Sequence, residues 1–147
     1  MMDNDELQHY LHEHIPLSRA MQVSVLEASP ARVTLSAPLA PNINHRETVF
    51  GGSASALAIL SAWSLLHVRT TLQGIHARLV IQKNTMSYDL PMLDTFVAVC
   101  AFDDQVIWDR FIKLLRRKGK ARISLAATLH CHDQQTGALS GEFVALR

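Results

Sequence analysis

The feature that most constrains the fold is an uncharged run that spans residues 48–68. The run includes a glycine pair, Gly51–Gly52, and a polar segment, residues 42–47, precedes it. Its length and composition predict one long helix over roughly residues 52–68, with Gly74 marking the next turn. A helix without charge on any face has to be enclosed, either by the rest of the protein or by lipid.

We expect protein, and not lipid, to enclose this helix. Residues 49–66 reach only the minimum length of a membrane span, about 18 residues. They contain two glycines and four serines, with many alanines in place of leucines, and no basic cluster flanks them closely enough to set a topology. The run therefore predicts a helix buried in protein, with no membrane association.

The residues on either side of this helix alternate between polar and apolar side chains, which predicts strands. Two strands that turn at Ser29-Pro30 precede the helix, and three or four follow it. The strands are predicted at residues 21–28, 31–38, 77–88, 95–102, 120–132 and 139–146. Between the strands that begin at residues 95 and 120, apolar residues near helical spacing predict a helix or helical excursion over residues 105–118.

A short amphipathic helix is predicted to open the chain, because Leu7, Leu11 and Ile15 recur at helical spacing and Pro16 ends the pattern. The order of elements predicts an α+β fold in a single domain, residues 1–147, with an antiparallel sheet curled around the long helix. The strand at residues 77–88 would then leave an edge. Pairing with a second copy through that edge would protect it.

The composition argues against several other classes of function. A net charge of +1 predicts neither a nucleic acid nor a membrane partner. His130 and His132 would share one face of a strand, but no third ligand stands at a metal-binding spacing, so no metal or other cofactor is expected. Cys100 and Cys131 lie in apolar runs without CxxC spacing, and no targeting signal is recognisable at the N-terminus. We expect two buried free thiols in a cytoplasmic protein.

The glycine pair gives the start of the helix a possible chemistry. The first turn of a helix has unpaired N–H groups and the positive end of the helix dipole. Glycine lets a substrate approach the backbone closely, so the pair could bind an anion or a developing oxyanion. Equally, Gly51 and Gly52 could only permit a tight turn where the loop packs under the sheet.

Several segments carry a resemblance to a known fold. ASPARVTLSAPLAPN, followed by NHRETVFGGSASAL and a long buried helix, resembles the hotdog fold of acyl thioesterases, in which a curved antiparallel sheet wraps a central helix and the unit is a dimer. More narrowly, APLAPNIN, TVFGGS and GKARISLAATLHC resemble a bacterial group of small thioesterases. That group also occurs as the C-terminal domain of an acetyltransferase-fused protein linked to fatty-acid initiation. The resemblance covers nearly the whole chain.

The resemblance assigns roles to individual residues. In the superfamily an Asn and, six positions later, His-Gly-Gly open the central helix. The Asn falls on Asn44, which would help place the thioester or the attacking water. The N–H that polarises the thioester carbonyl falls on Gly52. The motif histidine falls on Phe50, and the helix carboxylate of many relatives falls near Ile59, so neither group is present. The substrate-binding residues expected at the helix start are Phe50, Gly51, Ser53 and Ser55.

Thioester hydrolysis still needs a base, which typically contributes on the order of 10²–10⁴-fold to the rate. His45 is the first candidate, because an ordinary histidine pKa of about 6.5 suits a base near neutral pH. Glu47 is the second, and Asp89 or Asp94 also remain. Each of these side chains could equally be a solvated loop residue.

The segment KLLRRKGKAR, residues 113–122, carries six basic residues and no acidic one. Acyl-CoA carries phosphates and acyl carrier protein is strongly acidic, so this segment is a candidate docking site for either partner. Nucleic acid is not expected, because no aromatic residues interleave with the basic ones. A solvated helix end, favourable to the helix dipole, is the alternative. The candidate binding residues are Arg116, Arg117, Lys118 and Lys120.

Tyr88 ends the predicted strand within the segment TMSYDLPM, residues 85–92. In hotdog proteins the corresponding strand end lines the acyl channel or lies at the dimer seam, so the resemblance adds Tyr88 to the substrate-binding residues. A buried tyrosine with a bonded hydroxyl is the alternative.

The leading functional hypothesis is hydrolysis of an acyl thioester of coenzyme A or acyl carrier protein by a homodimer or a dimer of dimers. The second is a non-catalytic module that binds an acyl thioester or acylated carrier for a partner enzyme. A third, a dehydratase or hydratase, would need a histidine and a carboxylate facing each other across the pocket, and only His45 and Glu47 could supply them.

Overall fold

The computed structural model describes residues 2–147, which form four α-helices, one 3₁₀ turn and six strands. In chain order the elements are α1 (Asn4–His14), α2 (Pro16–Ala20), β1 (Ser24–Ala28), β2 (Arg32–Ala37), the 3₁₀ turn (Ala40–Asn42), α3 (Gly51–Leu72), β3 (Arg78–Tyr88), β4 (Phe96–Ala101), α4 (Gln105–Lys118), β5 (Lys120–Cys131) and β6 (Gln134–Leu146).

The six strands form one antiparallel sheet in the order β1-β2-β4-β5-β6-β3. The sheet curves around α3, which packs against every strand from β2 to β6. Along β5 the residues alternate strictly between exposed and buried from Lys120 to Ala127, so one face of the strand lines the core. The predicted α+β fold, with a curved antiparallel sheet around one long helix, is confirmed.

Helix α3 is longer than the sequence predicted, because it begins at Gly51 and continues past residue 68 to Leu72. Its length and composition would suffice to cross a membrane, but the other elements enclose it and half of its residues are buried. Two of its serines, Ser61 and Ser64, are fully buried. It is the core helix of the domain, as the mixture of small and polar residues predicted.

The last turns of α3 extend beyond the uncharged run, and the charge of Arg69 is accommodated there by hydrogen-bond acceptors and an aromatic ring. Its guanidinium donates to the carbonyl oxygens of Pro30 and Phe102 and lies 4.4 Å from the centre of the Trp108 ring. One side chain therefore joins the C-terminal part of α3 to the β1–β2 turn, the end of β4 and α4.

Helix α4 has the bounds that the sequence predicted, and both of its ends are capped. The Asp104 carboxylate accepts a hydrogen bond from the N–H of Ile107 at 3.0 Å, which is an N-cap. Gly119 follows the helix with a φ of 74°, the left-handed conformation typical of a helix C-terminus.

Several boundaries differ from the prediction, and β1, for example, begins at Ser24 and not at residue 21. Pro16 not only ends α1 but also opens α2, at a first-turn position where proline is favoured. Strand β6 begins at Gln134 and not at residue 139, because His132 and Asp133 form a two-residue turn directly from β5. Both turn residues have positive φ values, 53° and 60°, and the sequence has no glycine or asparagine there to indicate such a turn.

Strand β3 lies at one edge of the sheet and pairs only with β6 among the described strands. It is 11 residues long, and its other edge therefore offers unpaired N–H and C=O groups. Val80 and Tyr88 are exposed on it, at 49% and 57%. The predicted edge strand is thus present, with large hydrophobic side chains exposed towards both ends.

The two cysteines are free and buried, as predicted. Burial raises the pKa of the Cys100 thiol to about 12, so this sulfur stays protonated and unreactive in the fold.

Candidate functional site

The start of α3 carries free hydrogen-bond donors. Phe50 occupies the cap position with an extended backbone, and no side chain of residues 2–147 caps this end of the helix. Among the hydrogen bonds of the described residues, none uses the N–H groups of Gly51, Gly52 or Ser53. Since the helix dipole places its positive end here, these groups form a site for a partly negative oxygen.

The segment before α3 is held in place by backbone bonds. The N–H of Phe50 donates to the carbonyl oxygen of Asn42 at 2.8 Å, and Ile43 forms an antiparallel bridge with Val49. A narrow loop, residues 43–49, therefore precedes the helix and fixes the direction in which the free N–H groups point.

A cavity of about 300 Å³ opens beside Gly51. Its walls come from the start of α3, the segment after β3 and the inner face of the sheet, including Ala54, Met92, Leu129 and Thr136. The lining is largely apolar, apart from Tyr88, Asp89 and Thr136. Its position and lining would suit an acyl group whose carbonyl lies at the glycine pair.

Tyr88 lies close to the glycine pair. A β-carbon built on Gly51 would lie 3.8 Å from Cε1 of Tyr88. The side chain is 57% exposed, so Tyr88 is not the buried tyrosine of the alternative interpretation. It stands at the mouth of the cavity.

The segment that follows Tyr88 is clamped on two sides. The N–H groups of Asp89 and Leu90 both donate to the carbonyl oxygen of Thr136, at 2.8 and 3.1 Å. The N–H of Val49 donates to the carbonyl oxygen of Met92 at 2.9 Å. The segment is thereby tied both to the start of β6 and to the loop before α3, which aligns it with the glycine pair.

Asn44 is occupied within its own loop. Its side-chain oxygen accepts hydrogen bonds from the N–H groups of Arg46 and Thr48, at 2.8 and 3.1 Å, and its amide nitrogen donates to the Thr48 hydroxyl at 2.9 Å. These bonds stabilise a tight turn in which Glu47 has a φ of 65°. His45 and Glu47 are exposed at the tip of this turn, and neither lines the cavity.

Asn42 has a structural role that the sequence did not reveal. It is 2% exposed, and its amide nitrogen donates to the carbonyl oxygens of Met21 and Pro38, at 3.0 and 2.8 Å. Both Asn42 and Asn44 lie in the same polar segment, and nothing in the local sequence indicates which of the two is buried. Only the contacts of the folded chain distinguish them.

The interior of α3 offers little further chemistry near the cavity. Ile59 is half-buried, and the helix carries no acidic residue. Ser53 and Ser55 are half-buried in the first turns, and the hydroxyl of Ser55 donates back to the carbonyl oxygen of Gly52 at 3.1 Å. The missing helix carboxylate is therefore not replaced from within α3.

The basic residues lie at the opposite end of α3 from the glycine pair. Arg116 reaches the carbonyl oxygen of Gln73, the residue that caps the C-terminus of α3, and Arg147 donates to the carbonyl oxygen of Arg116. With 22 residues, α3 separates this surface from Gly51 by about 33 Å. The sequence hypothesis assigned the glycine pair and the basic residues to the same substrate, but within one protomer the two are far apart.

Basic residues from several elements meet at this end, because Arg78 pairs with Leu146 and Leu146 pairs with Lys120 across the sheet. We call this surface the basic end. It comprises Arg78, Arg116, Arg117, Lys118, Lys120 and Arg147. A cleft of about 460 Å³ beside it is lined by Lys113, Arg116 and Arg117 together with Asp109.

An aromatic cluster lies towards the C-terminal end of α3, where the His67 ring stacks on the rings of Tyr10 and Trp63, with ring centres 4.3 and 5.1 Å away. Burial lowers the pKa of His67, and the charge of His14 lowers it further. A cavity of about 350 Å³ adjoins these rings. It is lined from the later turns of α3 and does not reach the glycine pair.

Comparisons with known proteins agree with this geometry. The sequence profile of a family described as "Putative thioesterase (yiiD_Cterm)" matches residues 4–147. The crystal structure of OLEI01261, a protein with unknown function from Chlorobaculum tepidum TLS, is 27% identical and superposes with a TM-score of 0.92, covering 99% of this chain and 98% of that chain.

A structure described as a "putative thioesterase" from Shewanella oneidensis is 26% identical, with a TM-score of 0.87 and coverage of 98% of this chain and 97% of that chain. The phenylacetic acid degradation protein PaaI from Thermus thermophilus, solved as a mutant, is 15% identical with a TM-score of 0.64, over 90% of this chain and 98% of that chain. The last likeness concerns the fold alone. Together they confirm the hotdog fold.

Proposed function

Because this chain belongs to the yiiD C-terminal family, described as "putative thioesterase", we propose that it hydrolyses an acyl thioester of coenzyme A or of acyl carrier protein. The observation that carries the proposal is the set of free N–H groups at the start of α3 beside an apolar cavity. The cavity would hold the acyl group, and the N–H groups would receive the thioester oxygen.

The chemistry of the helix start supports hydrolysis. Negative charge develops on the carbonyl oxygen when water attacks the thioester carbon, and preorganised donors stabilise that charge. Gly52 is exposed, and its lack of a β-carbon makes room for the ring of Phe50 beside it. Asn44, His45 and Glu47 remain candidates for positioning or activating water from the loop just before the helix.

We further propose that β3 pairs with β3 of a second copy. The outer side of β3, 11 residues long, is a sheet edge of the kind that proteins usually cover. Pairing across a two-fold axis is antiparallel, so it brings the start of one β3 beside the end of the other. Charge favours this arrangement, since Arg78 begins the strand and Asp89 follows its end.

Such a dimer would explain how the basic end serves the glycine pair. Within one protomer the two are about 33 Å apart along α3. In the dimer, the partner's Arg78 and the basic end around it would lie beside Tyr88 and the cavity mouth. The basic end would then attract the phosphates of coenzyme A or the acidic surface of a carrier protein. A dimer of dimers is compatible with this arrangement.

A non-catalytic binding module is the second candidate function. The observation that favours it is the lack of any acidic residue on α3, where many hotdog relatives have their carboxylate. The dehydratase hypothesis gains no such support, because His45 and Glu47 share one exposed turn and do not face each other across the cavity. The free buried cysteines support a cytoplasmic location.

One experiment separates hydrolysis from binding. The purified protein is incubated with acyl-CoAs and acylated carrier proteins of several chain lengths, and thiol release is measured beside binding. Gly52→Pro removes one free N–H, whereas Gly52→Ala keeps it, and both place a β-carbon against the Phe50 ring. Gly51 has no β-carbon to clash with a following proline.

We expect the wild type to release thiol. The rate should fall about 10²–10³-fold in Gly52→Pro, which is the usual loss on removing one oxyanion donor, and much less in Gly52→Ala. Tight binding without release by the wild type would establish the binding module instead. Equal loss in both variants would mean that the N–H group is not what matters.

A further inference from the structure

The cavity beside the glycine pair contains one carboxylate, and it does not come from the helix. Of the side chains that line this cavity, only Asp89 is acidic, and Tyr88 is the one other ionisable group. Gly51, the first residue of α3, lines the same cavity, so Asp89 and the start of the helix border a common space. No local pattern in the sequence indicates this, because Asp89 lies far from Gly51 along the chain.

The backbone of Asp89 is fixed in position by the same bonds that clamp the segment. Its own N–H donates to the carbonyl oxygen of Thr136, and the hydroxyl of Ser87 reaches its carboxylate at 3.4 Å. Behind it, Gly137 packs so closely on β3 that a β-carbon there would lie 2.5 Å from the carbonyl oxygen of Ser87. These bonds fix the backbone that carries Asp89 at the cavity wall, where the residue is exposed and the Ser87 hydroxyl is the partner of its carboxylate.

The other candidate bases are placed less well. His45 and Glu47 project from an exposed turn and do not line the cavity. Asp94 accepts a hydrogen bond from the N–H of Thr95 and lies 3.8 Å from His132, at the far end of the loop. It does not line the cavity either.

We propose that Asp89 is the general base of the thioesterase, an inference that rests on the proposed function. The Asp89 carboxylate takes a proton from a water molecule while the water oxygen bonds to the thioester carbon. The carbonyl oxygen becomes an oxyanion held by the N–H groups of Gly51 and Gly52. When the tetrahedral intermediate collapses, the carbon–sulfur bond breaks and Asp89 returns the proton to the leaving sulfur. The products are a carboxylic acid and a thiol.

The test compares two carboxylates in one loop. Asp89→Asn keeps the size and removes the base, and Asp94→Asn makes the same change outside the cavity. Thiol release is measured on the acyl-CoA that the wild type hydrolyses fastest, together with the dissociation constant for that acyl-CoA and the pH–rate profile. We expect kcat to fall at least about 100-fold in Asp89→Asn, with binding nearly unchanged and the acid limb of the profile lost. Asp94→Asn should behave as the wild type.

The outcomes distinguish the two proposals. If Asp89→Asn hydrolyses the thioester as fast as the wild type, the role of Asp89 is overturned and the proposed function stands. Loss of turnover in His45→Ala or Glu47→Gln, with Asp89→Asn active, moves the base to the turn before α3. If the wild type hydrolyses no thioester in the panel, the proposed function fails and the role of Asp89 fails with it. Partial activity in Asp89→Glu would support a base role over a structural one.

Discussion

The N–H of Phe50 donates to the backbone carbonyl oxygen of Asn42. This bond links the residue that caps α3 to a residue whose side chain is buried. The amide of Asn42 in turn holds the carbonyl oxygens of Met21 and Pro38. One buried residue thus connects the start of α3 with the end of β2 and the chain before β1. The position of the glycine pair depends on it.

Replacing Asn42 with Ala should therefore destabilise the whole domain. The change leaves two carbonyl oxygens without partners in the interior, and we expect the free energy of unfolding to fall by about 2–4 kcal/mol. Urea unfolding measures the loss. Asn44→Ala is the matched control, because its bonds close a single partly exposed turn and should contribute less. A larger loss in the control would contradict the assignment of the buried role to Asn42.

Replacing Gly137 with Ala should disturb the site through the β3–β6 pairing. The new β-carbon would meet the backbone oxygen of Ser87, which cannot move aside as a side chain can. We expect a loss of about 1–3 kcal/mol in stability and a lower kcat, because Tyr88 and Asp89 follow Ser87 directly. Gly141→Ala on the same strand meets only side chains, the nearest being the Phe143 ring, 3.1 Å away. It should lower stability without lowering kcat, and equal kcat losses would rule out a local effect.

The stability of the domain should depend on pH through His67. Burial lowers the pKa of His67 below its ordinary value of about 6.5, so the unfolded chain takes up this proton at a higher pH than the fold does. The contribution to stability is complete above the unfolded pKa and is lost as pH falls through the folded pKa.

We expect the wild type to lose stability as the pH falls below the ordinary histidine pKa of about 6.5, measured by chemical unfolding at each pH. His67→Phe keeps a ring against Tyr10 and Trp63 but cannot be protonated, so its stability should change less with pH. His14→Gln removes the second cause of the lowered pKa and should give an intermediate result. Parallel pH curves for all three proteins would show that His67 is not responsible.

Mixing two inactive variants tests whether the basic end acts across a dimer. One variant carries Gly52→Pro, and the other carries charge reversals at Arg78, Arg116 and Arg117. A mixed dimer would contain one intact site, formed by the second variant's glycine pair and the first variant's basic end. We expect mixing to restore about a quarter of the wild-type rate at low salt, since half of the dimers would be mixed and half of their sites intact. If the basic end served its own protomer, mixing would restore nothing.

The sequence predicted the elements better than it predicted the site. The bounds of α4 followed from apolar residues near helical spacing, and the strands followed from alternation. Strand β6 was predicted too short because the turn at His132 and Asp133 uses positive φ values that its residue types do not indicate.

The site depends on contacts between distant parts of the chain. Only the topology brings the segment after β3 against the start of α3, so neither the cavity nor the position of Asp89 could be derived from local patterns. The burial of Asn42 and the separation of the basic end from the glycine pair have the same origin. Each requires the length and direction of α3 inside the sheet.

The pairing of β3 with β6 has a consequence for the order in which the protein folds. Strands β5 and β6 are joined by two residues, so their hairpin closes a very short loop and should form early. Arg78, by contrast, pairs with Leu146, at nearly the end of the chain. During synthesis on the ribosome, β3 therefore has no strand partner until β6 has emerged. The cavity beside Gly51 and the edge available to a second copy are then completed together, as a late step of folding.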